Sequence, residues 1–173
     1  MGRPIATFQK INDQTEVTLA HQIYNELGQL KEKRLNNDKQ ITSLAYNERG
    51  WMTGSSSNEF SINLKYNDGT LPQFNGNIAN QVYNNGGIQN TFTYNYDKLN
   101  RLIKGEVSPT LMSEVITYDV MGNITSLNRD SASPRTYHYN GNKLYFAAEV
   151  TNGYVYDANG NATTDGRPYQ RNE

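Results

Sequence analysis

Tyr118-Asp119-Val120-Met121-Gly122-Asn123-Ile124 is the stretch whose reading decides the fold. The same layout returns in Tyr24-Asn-Glu-Leu-Gly-Gln-Leu30, Tyr46-Asn-Glu-Arg-Gly-Trp-Met52, Tyr96-Asp-Lys-Leu-Asn-Arg-Leu102 and Tyr156-Asp-Ala-Asn-Gly-Asn-Ala162. Two copies are one residue shorter, Tyr66-Asn-Asp-Gly-Thr-Leu71 and Tyr139-Asn-Gly-Asn-Lys-Leu144. Successive motif tyrosines lie 22, 20, 30, 22, 21 and 17 residues apart, and Phe74-Asn-Gly-Asn-Ile78 keeps the rhythm inside the longest gap. Self-similarity at a near-constant spacing predicts an array of one supersecondary unit.

Each place in the motif has a physical task. Asp or Asn after the tyrosine suits the first position of a type I turn, because its side chain bonds to the backbone ahead. Three residues on stand Gly28, Gly50, Asn100, Gly122 and Gly160. That place asks for positive φ, which Gly takes freely and Asn tolerates. The longer copies therefore predict a four-residue hairpin loop that ends in a left-handed residue. In the shorter ones, Asn140-Gly141 and Asn75-Gly76 are the dipeptide favoured in type I′ hairpins.

The flanks predict strands. Leu44/Tyr46, Leu64/Tyr66, Tyr94/Tyr96, Ile116/Tyr118, Tyr137/Tyr139 and Tyr154/Tyr156 are i, i+2 pairs, which a strand places on one face. After each turn an apolar residue returns: Leu30, Met52, Leu71, Leu102, Ile124, Leu144 and Ala162. Across the turn it can meet the tyrosine. Polar residues such as Gln29, Arg101 and Asn123 alternate with these, so one face is drier than the other. Asn25–Leu35 contains good helix formers, but the Tyr24 motif in register with its neighbours favours a strand. Residues 1–17 form a degenerate N-terminal segment with a strand pair between Ile5 and Ile11, and residues 18–173 form the array.

Composition agrees. Mean hydropathy is −0.81, and Leu, Ile, Val and Phe make roughly a fifth of the chain, near the level where disorder begins. Disorder, however, couples low hydrophobicity to high net charge and few aromatics. Here net charge is −1 and there are 13 tyrosines, strong strand formers that bury a ring and keep a polar tip. So even a charge balance gives no footprint for a nucleic-acid backbone. The most basic stretch, Lys31-Glu32-Lys33-Arg34, is interrupted by an acid and reads as solvated strand or turn. There is no cysteine, hence no disulfide or thiolate chemistry. No apolar run approaches the roughly 20 residues of a membrane span, and no signal-peptide core follows Met1. Either the protein is cytoplasmic or its sequence was cut from a longer one.

No residue is singled out as catalytic, cofactor-binding or metal-ligating. His21 and His138 both sit just before a motif tyrosine, without the spacing of a zinc site. Ser55-Ser56-Ser57 after Gly54 lacks the Gly-x-Ser-x-Gly of a nucleophile elbow and reads as a loop. Asp157-Ala-Asn159-Gly-Asn161 opens like a calcium loop, but Ala162 stands where Gly is needed and Pro168 where Glu is needed. A glycosidase would need one special pair of carboxyl groups about 5–10 Å apart. Asp97, Asp119 and Asp157 instead recur once per repeat, as structural residues do.

Tyr-Asp-x-x-Gly-Asn-Ile, Tyr-Asp-Ala-Asn-Gly-Asn and Phe-Asn-Gly-Asn-Ile-Ala resemble the YD repeats of the Rhs family, over roughly residues 18–166. Teneurins and the shell components of insecticidal toxin complexes share these repeats. The Asn-rich variant, with Asp165-Gly166-Arg167 after the last copy, resembles Rhs proteins of Bacteroidetes. The resemblance implies an all-β fold, tandem hairpins forming a twisted open sheet or partial β-shell. It also implies a non-catalytic shell segment of a secreted or cell-surface protein that encloses or presents a C-terminal toxin or effector. The alternative is an adhesion or glycan-binding module, since tyrosine rings beside Asn side chains also build sugar sites. The family's Asp-Pro-x-Gly-Leu processing sequence does not occur here, so self-cleavage is not implied. The expected partners are the remainder of a longer polypeptide or its effector, with self-association through unpaired edge strands. Nucleic acid, cofactor and membrane span are not expected.

Overall fold

The structure is a computed structural model and describes residues 2–107, 112–147 and 153–165. Gly166–Glu173, which include the Gly166-Arg167 signature and Pro168, lie outside the described residues. The chain falls into two compact units, residues 1–93 and 94–173.

Unit one is built from β1 (Ala6–Gln9), β2 (Val17–Tyr24), β3 (Leu30–Leu35), β4 (Gln40–Tyr46), β5 (Met52–Ser56), β6 (Phe60–Lys65), β7 (Asn80–Asn85) and the first part of β8 (Ile88–Tyr96). Unit two holds the end of β8, then β9 (Leu102–Val107), β10 (Ser113–Tyr118), β11 (Ile124–Arg129), β12 (Arg135–Asn140) and β13 (Lys143–Ala147). A separate pair follows, β14 (Val155–Tyr156) with β15 (Ala162–Thr164). No helix occurs among the described residues, and the Asn25–Leu35 segment forms the first motif turn and β3. Strand order follows the chain from β1 to β13, each strand antiparallel to the one before it wherever its register is defined. The fold is thus all-β and made of tandem hairpins. Most strands run 4–8 residues; β8 is longer, at 9 residues, and β14 and β15 are shorter, at 2 and 3.

Alternation along the strands sets the faces. On β4, Thr42, Leu44 and Tyr46 are half-buried while Ile41, Ser43 and Ala45 are exposed. Pairing carries this across unit one: Leu44 meets Ser55, Ser55 meets Ile62, Ile62 meets Tyr83. Phe60, Tyr83 and Phe92 stack on that face, centroids 6.3 and 6.0 Å apart. Among the described residues the buried ones are few: Leu64, Tyr66, Ala79 and Asn80 in unit one, and Gly105, Val107, Leu127 and Ala147 in unit two. No large side chain among the described residues is fully buried. Backbone ladders and turn chemistry therefore carry an unusual share of the stability.

Four sequence expectations are corrected. Ile5–Ile11 supplies one strand, β1, whose partner is β2 rather than a second strand of its own. Ser55 and Ser56 lie on β5, paired with Leu44 and Ser43, not in a loop. Asn140-Gly141 does not make a type I′ turn: Asn140 pairs with Lys143, and of the loop residues Gly141 and Asn142 only Gly141 takes positive φ, the II′ pattern. Most consequentially, the Tyr66 and Phe74 segments are not two hairpin turns. Both lie in one long connection, because β6 pairs directly with β7 from Phe60↔Asn85 to Lys65↔Asn80. Leu71 accordingly is exposed instead of returning beside Tyr66.

That connection is pinned by Asn80, 3% exposed. Its Oδ1 accepts the Thr70 amide at 2.6 Å, and its Nδ2 donates to the Phe92 carbonyl and to Thr93 Oγ1. Gly69 allows the approach, for a Cβ there would come within 2.5 Å of Ala79 Cβ and 2.6 Å of Asn80 Oδ1. Asn80→Ala removes the partner of the part-buried Thr70 amide and Phe92 carbonyl, so denaturant unfolding is expected to show a loss of about 0.5–1.5 kcal/mol. A loss indistinguishable from zero would mean the connection is not anchored there.

Candidate functional site

The feature repeated in both units is the motif turn with the tyrosine that leads into it. In all five long copies the fourth turn residue donates to the carbonyl of the Asx residue at 2.8–3.2 Å: Gly28 to Asn25, Gly50 to Asn47, Asn100 to Asp97, Gly122 to Asp119 and Gly160 to Asp157. The Asx amide then donates to the carbonyl beyond the turn, as Asp119 does to Asn123 at 2.9 Å. Gly28, Gly50, Asn100, Gly122 and Gly160 all take positive φ, from 63° at Asn100 to 91° at Gly122. A one-residue bulge follows, so Tyr24, Tyr46, Tyr118 and Tyr156 face Leu30, Met52, Ile124 and Ala162, with their bulge at the tyrosine.

The Asx side chain saturates the turn. Asp97 Oδ1 accepts from the amides of Leu99 and Arg101, and Oδ2 accepts from Arg101 Nε at 2.7 Å. Asp119 and Asp157 do the same with Asn123 and Asn161 as side-chain donors. The oxygens that resemble a calcium-loop opening, those of Asp157, are thus spent on the hairpin. The residue after the left-handed position also reaches the neighbouring turn. Gln29 Nε2 donates to the Gly50 carbonyl, Arg101 Nη1 to the Asp119 carbonyl, and Asn123 Nδ2 to Asn142 Oδ1. Trp51 fills this place in its copy and packs on Tyr66, centroids 5.1 Å apart, and on Gly76.

The tyrosine hydroxyls complete the ladder, a role the sequence did not reveal. Tyr46 donates to the Leu30 carbonyl, Tyr66 to Met52, Tyr118 to Leu102 and Tyr156 to Leu144, at 2.6–2.9 Å. Each acceptor is the apolar residue that follows the preceding turn. Arg101 lies over the Tyr118 ring at 4.6 Å and Lys143 over the Tyr156 ring at 5.4 Å. Burial pushes the Tyr66 hydroxyl above its ordinary pKa, which keeps it a donor.

The two units differ in turn chemistry. Unit one uses Asn25 and Asn47, whereas unit two uses Asp97, Asp119 and Asp157. The Arg101 backbone amide foremost, and the side-chain amides of Asn123 and Asn161, hold the three carboxyls below their ordinary value of 3.8. A depressed carboxylate stabilises the fold above its unfolded pKa, and that contribution is lost as pH falls through the folded pKa. Below about pH 3.8 the unit-two turns are therefore expected to open first, while the Asn turns of unit one do not titrate. Amide exchange followed by mass spectrometry from pH 5 to pH 2 checks this. Equal acid sensitivity of both units would contradict it, and Asp119→Asn is expected to shift its own turn's opening to lower pH.

His21 and His138 lie on β2 and β12, and the His138 ring packs near Phe146 at 5.6 Å. Neither belongs to a cluster of metal-ligating side chains among the described residues. One depression of unit one lies on the face opposite the tyrosines, lined by Ser43, Gly54, Ser56, Ser61, Asn63 and Asn84 among others. None of its lining side chains is titratable.

No family model matches the sequence, and no curated protein matches it. Solved structures do. The chain superposes on the Tc holotoxin pore of Photorhabdus luminescens carrying a mutation in TccC3, with a TM-score of 0.65 and 14% identity. That match covers 91% of this chain and 10% of the other, so the chain spans about a tenth of its neighbour's length. Crystal structures of TcdB2-TccC3 and of TcdB2-TccC3-Cdc42 give TM-scores of 0.42 and 0.41 at 15% identity, each covering 83% of this chain and 10% of theirs. At this identity the likeness is one of fold: the hairpin array of this chain is an architecture found within a Tc holotoxin.

Proposed function

We propose that this chain is a non-catalytic wall segment of a larger Rhs-type YD-repeat shell, one that encloses or presents a C-terminal toxin or effector. The observation that carries the reading is the hydroxyl ladder, in which Tyr46, Tyr66, Tyr118 and Tyr156 each spend the polar tip on the backbone left by the turn before it. Carboxylates, side-chain amides and Arg101 are spent in the same way, on turns rather than on a reactant. Fold likeness to part of the Tc holotoxin supports the assignment, as does a sheet with little fully buried side chain. The expected setting is a secreted or cell-surface protein. An adhesive or glycan-binding role has weaker support, because stacking rings such as Tyr118 and Tyr156 are already covered by Arg101 and Lys143.

The test is the whole gene product. Electron microscopy is expected to show a hollow particle, and limited proteolysis to leave downstream sequence intact until the array is opened by acid. Downstream sequence digested equally fast with and without the array would sink the enclosure reading.

A further inference from the structure

One register governs the hairpins of both units. The second residue after each post-turn apolar position pairs on two sides. Glu32 pairs with Ile23 across its own turn and with Ser43 on the next strand. Gly54 pairs with Ala45 and Asn63, and Ser126 with Thr117 and Thr136. The first partner always immediately precedes a motif tyrosine. The second always stands three residues before the next one, namely Tyr46, Tyr66 or Tyr139.

Ala6 pairs with His21, three residues before Tyr24. It therefore occupies the place of Glu32, Gly54 and Ser126, with no second strand beside it among the described residues. Side chains give the same alignment independently. Tyr24 donates to the Pro4 carbonyl at 3.1 Å, as Tyr118 does to Leu102. Arg3 lies over the Tyr24 ring at 5.5 Å, as Arg101 lies over Tyr118. Pro4 thus stands for Leu102, Arg3 for Arg101, and Gly2 for the left-handed residue. The Ile5 carbonyl accepts the Gln22 amide at 2.7 Å, which commits Ile5 to β2 and turns the N–H and C=O of Ala6 away from it.

We propose that the outer edge of β1 is a receptor for one kind of strand, an antiparallel strand ending in Tyr-Asp-x-x. Its tyrosine faces Pro4, and the residue before the tyrosine faces Ala6. Charge favours Asp over Asn, because Arg3 stands where Arg101 bonds the Asp97 carboxylate. The apolar surface to be covered is present in Ile5 and Phe8, 63% and 56% exposed. Seating of the strand is expected to place Gly2 at positive φ, as at the equivalent place of the long copies. This inference rests on hairpin register and stands whether or not the array serves as a shell wall.

The experiment extends the full chain, replacing Met1 by the nine-residue sequence of Ser113–Met121 so that Tyr-Asp-Val-Met runs into Gly2-Arg3-Pro4. Amide exchange at Ala6 is expected to slow by about tenfold, the size of one net backbone hydrogen bond. Exchange at Ser126 serves as the internal reference for an intact fold. A second extension, with alanine in place of its tyrosine and aspartate, is expected to leave Ala6 unchanged. Three results overturn the proposal: no slowing at Ala6, equal slowing with both extensions, or Ala6 already protected in the unextended chain through pairing of two copies.

Discussion

Tyr118→Ala is expected to cost about 3 kcal/mol in equilibrium unfolding, at the lower end of the range for removing a buried aromatic because this ring is only half-buried. Three losses combine. The ring leaves the stripe it shares with Ile124, its partner across the bulge. Its hydroxyl no longer reaches the Leu102 carbonyl at 2.7 Å. Arg101 loses the ring face beneath it while staying held by Asp97. Tyr118→Phe separates these, since it keeps ring and stacking and removes only the hydroxyl. It is expected to cost about 0.5–1.5 kcal/mol. If Phe proved as damaging as Ala, the hydroxyl would carry the whole effect and the stripe would be unimportant. If both were silent, Tyr118 would be free surface, and the glycan-binding reading would regain its ground.

The turns were legible in the sequence because their chemistry is local. Positive φ at Gly28, Gly50, Asn100, Gly122 and Gly160 follows from residue type and place alone. The hydroxyl ladder was not legible, because the acceptor of Tyr118 lies 16 residues back, and only the register of two neighbouring hairpins brings it near. Tyr66 and Phe74 misled for the opposite reason. Each segment has local turn bonds, for the Tyr66 amide donates to Asp68 Oδ1 and the Asn77 amide to Asn75 Oδ1. What is missing is a strand between them: Pro72 and Gln73 alone separate the two motifs, and proline cannot donate to a ladder. The hairpin at Gly86-Gly87 went unread although two adjacent glycines at positive φ are a I′ signal. Its flanks, Asn84-Asn85 and Ile88-Gln89-Asn90, are polar enough to hide the alternation of β7 and β8.

Gly122→Val carries the second large effect, about 2 kcal/mol, and isolates backbone strain. Gly122 sits at φ 91°, and a Cβ built there meets nothing within 4 Å. The Cβ itself creates no contact, and the penalty charged here is that of the left-handed conformation, which a β-branched residue adopts only at a cost of this order. The companion Gly122→Asn is expected to cost a few tenths of a kcal/mol, because Asn tolerates this region. The molecule already contains that comparison, for Asn100 takes φ 63° at the equivalent place of the preceding copy. The difference should appear in the turn as well as in the midpoint of unfolding. With Val the Gly122–Asp119 closing bond at 3.2 Å is expected to break, which frees the Asp119 carboxylate from the amides of Met121 and Asn123 and raises its pKa toward the ordinary value. With Asn that titration should stay where it is. Matching melting curves and matching Asp119 titrations for the two variants would refute the left-handed assignment, and with it the turn on which the five long copies of the array depend.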